Sequence, residues 1–376
     1  MDTQVASYGD GPNVLRKVPR PLYSVQIYIG GPPPFSLEAQ RKVLKWTHER
    51  GYFIPDPNWL NPPNVEGIRE IVWPFMKPLG TKNIEDISVA FLADGGFNRV
   101  YTVDTLKGSY VFRVALPVDP HYKTESDVAT TELVRHFTTI PVPIIYTYDS
   151  SANNTLGLEW ILMEEITSGK ELDDSWETME YDTKVRLTET VADWTAQLSN
   201  IIFDKIGSIY MRFEQENLLF FVGRSVNYLL TQENRLLFDA PRGPFVMLES
   251  YYAVLLTIAK RDVEAVTQAD ESDLFEFELG KIQLEPALFL TRNPDLIDSV
   301  ENFDEPEKED LADPERQPDS EDPEEAAKAI KDNEEWYTRN LNDYQCTMLR
   351  QTFQEKLKDL ESPLADAVWD DLPEFD

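Results

Sequence analysis

The chain has 376 residues and a formal charge of −33, a length that suits two or three domains or lobes. With 41% hydrophobic and 27% charged residues it can bury a core, which excludes wholesale disorder. A surface this acidic repels phosphate backbones and anionic membranes, so general nucleic-acid and membrane binding are not expected, whereas MgATP in a local basic pocket or a basic partner is compatible with it. Cys346, the single cysteine, excludes an internal disulfide and a cysteine-based zinc site. No apolar run approaches a membrane span, and Met1 to Tyr8 reads as neither signal nor transit peptide. The expectation is a soluble, cytoplasmic protein.

In chain order, residues 1–80 read as an irregular, proline-dense extension. Gly31-Pro32-Pro33-Pro34 and Pro55-Asp56-Pro57 break it, and Ser36 caps a helix predicted to run to Arg50. Strands are predicted at Ile87 to Phe91, Arg99 to Val103 and Tyr110 to Val114, joined by turns at Asp94-Gly95-Gly96 and Lys107-Gly108. A helix follows at Thr124 to Thr138, then strands at Ile144 to Tyr148 and Trp160 to Met163. From Asp182 onward the pattern is helical, with helices at Val185 to Leu198 and Met247 to Val266. Residues 301–335 hold 16 acidic and 4 basic residues with four prolines and read as a solvated, flexible segment. A last helix is predicted from about Glu324 to Leu360, whose apolar positions, Leu349, Phe353 and Leu357 among them, suit docking on the main body. The division is an extension at 1–80, a sheet-bearing lobe at 81–167, a helical region at 168–300, an acidic linker at 301–325 and a helical tail at 326–376.

Five strands with one helix after the third, then a helical region, is the plan of a kinase-like phosphotransferase. Phe91-Leu92-Ala93-Asp94-Gly95-Gly96-Phe97-Asn98-Arg99-Val100-Tyr101 resembles the phosphate-covering turn of fungal members of the aminoglycoside phosphotransferase family. Tyr110 to Val114, Ser126 to Thr130, Ile140-Pro141-Val142-Pro143, Trp160 to Glu164, Val191 to Trp194 and Phe203 to Ser208 resemble later landmarks of that family, in order. The resemblance spans roughly residues 85–265 and returns around Tyr344 to Leu360. It implies an α+β, protein-kinase-like two-lobe fold: a five-stranded antiparallel N-lobe sheet with one helix, and a helical C-lobe truncated in this chain.

The same resemblance implies site residues, and each has a plainer reading. Gly95 and Gly96 would let backbone N–H groups approach a triphosphate, or simply close a hairpin. Arg113 stands where the family has its phosphate-gripping base, or is a solvated strand arginine. Asp127 stands where a helix glutamate orients that base, or is a favourable first-turn acid. Being one methylene shorter than glutamate, it predicts a strained or water-bridged pair. Met163 to Glu165, with Met163 and Glu164 foremost, would form a hinge whose backbone bonds adenine, or only end a strand. ATP is the implied cofactor, and nucleotide and a small-molecule hydroxyl acceptor are the implied partners.

The catalytic loop breaks the pattern. Phosphoryl transfer in this family uses H-x-D-x-x-x-x-N, with an aspartate for the acceptor hydroxyl and an asparagine for Mg²⁺. No histidine follows His136, and no aspartate beyond residue 200 has an asparagine five positions later. Asn293-Pro294-Asp295 echoes the loop, but Val300 occupies the metal asparagine's position. Asp193-Trp194 sits mid-helix and is no substitute. These gaps count against Mg²⁺ binding and leave no residue assigned to catalysis. Four readings compete: a catalytically impaired kinase-like protein, an active small-molecule kinase recruiting Asp295 or Asp298, a non-enzymatic interaction protein whose 301–335 segment binds a basic partner, and a damaged gene product whose C-lobe does not fold fully.

Overall fold

The structure is a computed structural model that describes residues 16–19, 36–47, 55–176, 178–214, 217–269 and 323–364. The chain divides into two compact units. The first comprises residues up to Ser168 with Phe203–Phe275, and the second Gly169–Ile202 with Glu276–Asp376.

The first unit is built on a five-stranded antiparallel sheet. Its strands are β4 (Ser88–Asp94), β5 (Asn98–Thr105), β6 (Gly108–Ala115), β7 (Ile145–Asp149) and β8 (Trp160–Glu164), in spatial order β4-β5-β6-β8-β7. Helix α3 (Tyr122–Phe137) lies between β6 and β7 in the chain. The fold is α+β, and the strand order and single inserted helix agree with the sheet lobe expected from the sequence. Alternation sets the buried face: Tyr101, Val103, Phe112, Val114, Trp160 and Leu162 are all buried. The Phe112 and Trp160 rings stack at 5.1 Å.

What covers that face was not anticipated. The extension read as irregular contains α1 (Leu37–Val43), β2 (Leu44–Thr47), β3 (Asp56–Trp59) and α2 (Val65–Met76). Ser36 caps α1 through Ala39 N–H as predicted, but the helix stops at Val43. Leu44 to Thr47 then pairs antiparallel with Asp56 to Trp59. Trp46 and Thr47 are better strand than helix formers, and pairing satisfies their backbone groups. Residues 48–50 of the expected helix lie outside the described residues. In α2 the Asn64 side chain accepts from Glu66 N–H, and Ile68, Val72 and Met76, four residues apart, are buried in one cluster with Val103, Phe112 and Trp160. Each such side chain contributes about 1.5–3 kcal/mol. The prolines at 62, 63 and 74 hid this stripe.

The helical reading of residues beyond Asp182 is corrected at 208–223. There β9 (Ser208–Glu214) and β10 (Asn217–Gly223) pair antiparallel, with β1 (Arg16–Pro19) along the other edge of β10. Aromatic and branched residues between two glycines favour strands. A Cβ on Gly207 would lie 2.2 Å from the Gly223 carbonyl oxygen, so glycine is required where the hairpin strands approach. Tyr210 of β9 and Phe220 of β10 reach α3, against Tyr122 and Phe137 respectively. Helix α6 (Leu248–Ala269) follows as expected.

The second unit holds α4 (Leu172–Trp176), α5 (Tyr181–Ser199) and α7 (Pro323–Asp359). Ala192 and Ala196 of α5 pack with Leu349, Phe353 and Leu357 of α7. The small alanines admit the larger side chains, as ridge-into-groove packing requires. Helix α7 is uninterrupted and matches the helix predicted from about Glu324 to Leu360, so the flexible reading of 301–335 does not hold from residue 323 onward, and residues 301–322 lie outside the described residues. Asp193 sits inside α5 as expected, accepting from Gln197 at 2.6 Å.

Candidate functional site

The two-glycine turn joins β4 to β5. Asp94 and Arg99 close it with two bonds, 2.5 Å from Nε and 2.6 Å from Nη2. Arg99 also lies over the Trp59 and Phe91 rings. Gly95 N–H donates to the Asn98 carbonyl at 2.8 Å. Neither glycine has a left-handed φ. A Cβ on Gly95 would meet only Asn98 oxygen at 3.7 Å, and one on Gly96 would meet nothing within 4 Å. The hairpin therefore does not need glycine at either position, and the space over Gly96 is open.

Arg113 lies centrally in β6, between Val100 of β5 and Ile161 of β8. It donates from Nη2 directly to Asp127 of α3. Of the two outcomes expected from the shorter carboxylate, a strained or a water-bridged pair, the water-bridged one is not seen: the two side chains meet directly, arginine's reach making up the missing methylene. Arg113 Nε is buried without an acceptor. Asp127 also accepts from Lys123 Nζ at 2.6 Å. Lys123 precedes Asp127 by four residues, so both occupy one face of α3. Its ammonium lies 5.9 Å from the centroid of the Phe97 ring, and Phe97 is fixed by Leu116 N–H donating to its carbonyl at 2.9 Å. Strand and helix thus bring Arg113, Asp127 and Lys123 together, and Lys123 in turn meets Phe97, which follows the two glycines in the chain.

Burial lowers the Lys123 pKa, and Asp127 partly offsets this. Glu159, buried just before β8, accepts from Thr124 Oγ1 and His121 N–H, both at 2.5 Å. Burial pushes it up to about 7. Asp119 accepts from Arg224 at 2.6 Å, and burial raises its pKa against that arginine's pull. A cavity of about 280 Å³ is lined by Asp119, Tyr122, Glu159 and Arg224 among others. Sequence reasoning missed Lys123 and Glu159. The spacing of Lys123 from Asp127 was a usable signal, whereas Glu159 meets α3 only through the fold.

Met163 and Glu164 end β8 and pair with Val111 and Tyr110 of β6. Glu164 N–H donates to the Ile144 carbonyl at 2.8 Å, and Glu164 Oε2 accepts from Ile144 N–H at 3.0 Å. Within the expected hinge, the Glu164 N–H is therefore already engaged at the strand edge. Asp295 and Asp298 lie outside the described residues. Among the described residues, no three His, Cys, Asp or Glu side chains cluster as metal ligands, and no helix is long and apolar enough to cross a membrane.

No family model matches the chain. It is 32% identical over 125 residues to a subtelomeric hrmA-associated cluster protein of Aspergillus fumigatus, covering 32% of this chain and 24% of that one. It is 26% identical over 193 residues to altered inheritance of mitochondria protein 9 of Kluyveromyces lactis, covering 46% of this chain and 30% of that one. The chain thus spans a minor part of these relatives' length. The latter protein is named as mitochondrial, so the cytoplasmic location expected from the sequence draws no support from it. Among solved structures, similarity extends to a GDP complex of an aminoglycoside 2'-phosphotransferase (TM-score 0.30, 16% identity, 36% of this chain and 42% of that one). It extends also to the PknI kinase domain of Mycobacterium tuberculosis (TM-score 0.24, 12% identity, 36% and 58%).

Proposed function

We propose that the first unit is a nucleotide-binding lobe of the aminoglycoside phosphotransferase kind, kinase-like in plan. In this chain the machinery for phosphoryl transfer to a small-molecule hydroxyl is incomplete. The observation that carries this reading is the direct Arg113–Asp127 pair between strand and helix, beside a turn whose glycines the hairpin itself does not require. The arrangement suits the phosphates of ATP: cationic side chains, and backbone that an anion can approach closely. It suits adenine less well, since the Glu164 N–H is taken. The H-x-D-x-x-x-x-N loop, which supplies the family's base and metal asparagine, does not occur in the sequence, and loss of both roles would cost several powers of ten in rate.

Thermal unfolding with ATP, with and without Mg²⁺, tests the reading. At 100 times its dissociation constant a ligand stabilises by about 2.7 kcal/mol. The expected result is stabilisation that does not need Mg²⁺. A strict Mg²⁺ requirement would favour the active small-molecule kinase, and no shift with either would overturn nucleotide binding.

A further inference from the structure

We propose that Lys123 is a second phosphate ligand, acting with Arg113 through a carboxylate, Asp127, that the two cations share. This rests on the reading of the first unit as a nucleotide-binding lobe, but it concerns only the anion subsite.

Three observations converge. Asp127 Oδ2 accepts from both Arg113 Nη2 and Lys123 Nζ. One carboxylate between two cations leaves a surplus positive charge, in a protein whose total charge is strongly negative. The Lys123 side chain is only 17% exposed, so water screens this charge poorly. The other acid that acts on Lys123, Glu159, already accepts from Thr124 and His121. Finally, the Lys123 ammonium lies 5.9 Å from the ring of Phe97, the residue that follows Gly96 in the chain, and Gly96 itself has open space over it. An ammonium has three donors, and Asp127 accepts only one of them.

A polyphosphate chain suits this arrangement better than a single small anion. One phosphate can take the Arg113 guanidinium and a neighbouring one the Lys123 ammonium, with turn N–H groups above. Asp127 then acts as a spacer, holding both cations apart at fixed positions.

The test measures binding of ATP, adenosine and inorganic tripolyphosphate to the full chain and to Lys123→Met and Lys123→Arg. Loss of a charge-assisted contact predicts about 10- to 100-fold weaker binding of ATP and tripolyphosphate to Lys123→Met. Lys123→Arg should stay within about threefold of the original chain, and adenosine should bind all three proteins alike. Equal tripolyphosphate binding to Lys123→Met and the original chain would overturn the proposal, as would no tripolyphosphate binding by the original chain. If tripolyphosphate binds through Lys123 but ATP does not bind, the nucleotide reading fails and this inference stands. Should Lys123→Met not fold, acetylation of the unmodified protein decides. Tripolyphosphate should shield Lys123 and not the exposed Lys45 or Lys107, and equal labelling with and without it would overturn the proposal.

Discussion

Arg113, at the centre of a strand, donates directly to Asp127, which follows it by 14 residues on α3. The contact ties sheet to helix through two charged side chains that are each about three-quarters buried, and the same carboxylate holds Lys123. Removing the carboxylate would leave two cations facing one another. Asp127→Asn is expected to cost about 1–3 kcal/mol in urea unfolding, and less when Arg113→Met is already present. Additive losses would mean that the two residues do not act as a pair.

The two kinds of glycine should separate experimentally. Gly207→Ala places a methyl group against backbone oxygen and is expected to destabilise by about 1–3 kcal/mol. Gly96→Ala meets no atom within 4 Å, so its melting temperature should match that of the original chain while stabilisation by ATP falls. A large loss of intrinsic stability in Gly96→Ala would assign that glycine to the hairpin alone.

Glu159 predicts a specific pH dependence. Its folded pKa, about 7, lies above the ordinary value of 4.5. Between those values the folded state keeps a proton that the unfolded state has released, so this group's contribution falls as pH rises from about 4.5 to 7, by up to about 3 kcal/mol. Above pH 7 it changes no further. His121, whose pKa burial lowers, acts in the opposite sense, so the quantity to measure is the difference between the original chain and Glu159→Gln. That difference should grow in favour of Glu159→Gln across this window, and a flat difference would show that Glu159 is ionised throughout.

In the second unit Phe353 is fully buried between α5 and α7. Phe353→Ala is expected to cost about 3–5 kcal/mol through lost burial and the cavity left behind. Unfolding followed by circular dichroism should show the loss in the helical signal. A change below 1 kcal/mol would show that α7 does not depend on this contact.

The sequence alone determined the elements whose information is local. Two-residue periodicity between Gly-containing turns located β4, β5 and β6, and helical periodicity located α3, α5 and α6. The order of those elements put Arg113 on the third strand and Asp127 on the helix after it, and the family resemblance implied that the two would pair. The absence of histidine after His136 is likewise a property of the sequence.

Only the tertiary structure decided the rest, because it depends on partners distant in the chain. Leu44 to Thr47 is a strand because Asp56 to Trp59 pairs with it, and local capping at Ser36 cannot register that. Helix α2 forms despite Pro74 because Ile68, Val72 and Met76 have a sheet face to cover. Gly207 is indispensable because Gly223 lies against it, whereas Gly95 and Gly96, the more conspicuous glycines, are not required by their own turn. The short Asp127 meets its partner because the fold sets α3 against the strand that carries the long Arg113 side chain. Lys123 joined the candidate site only when Phe97 and Asp127 were found on either side of it. Burial sets the charge state of Glu159, and burial is a property of the whole fold.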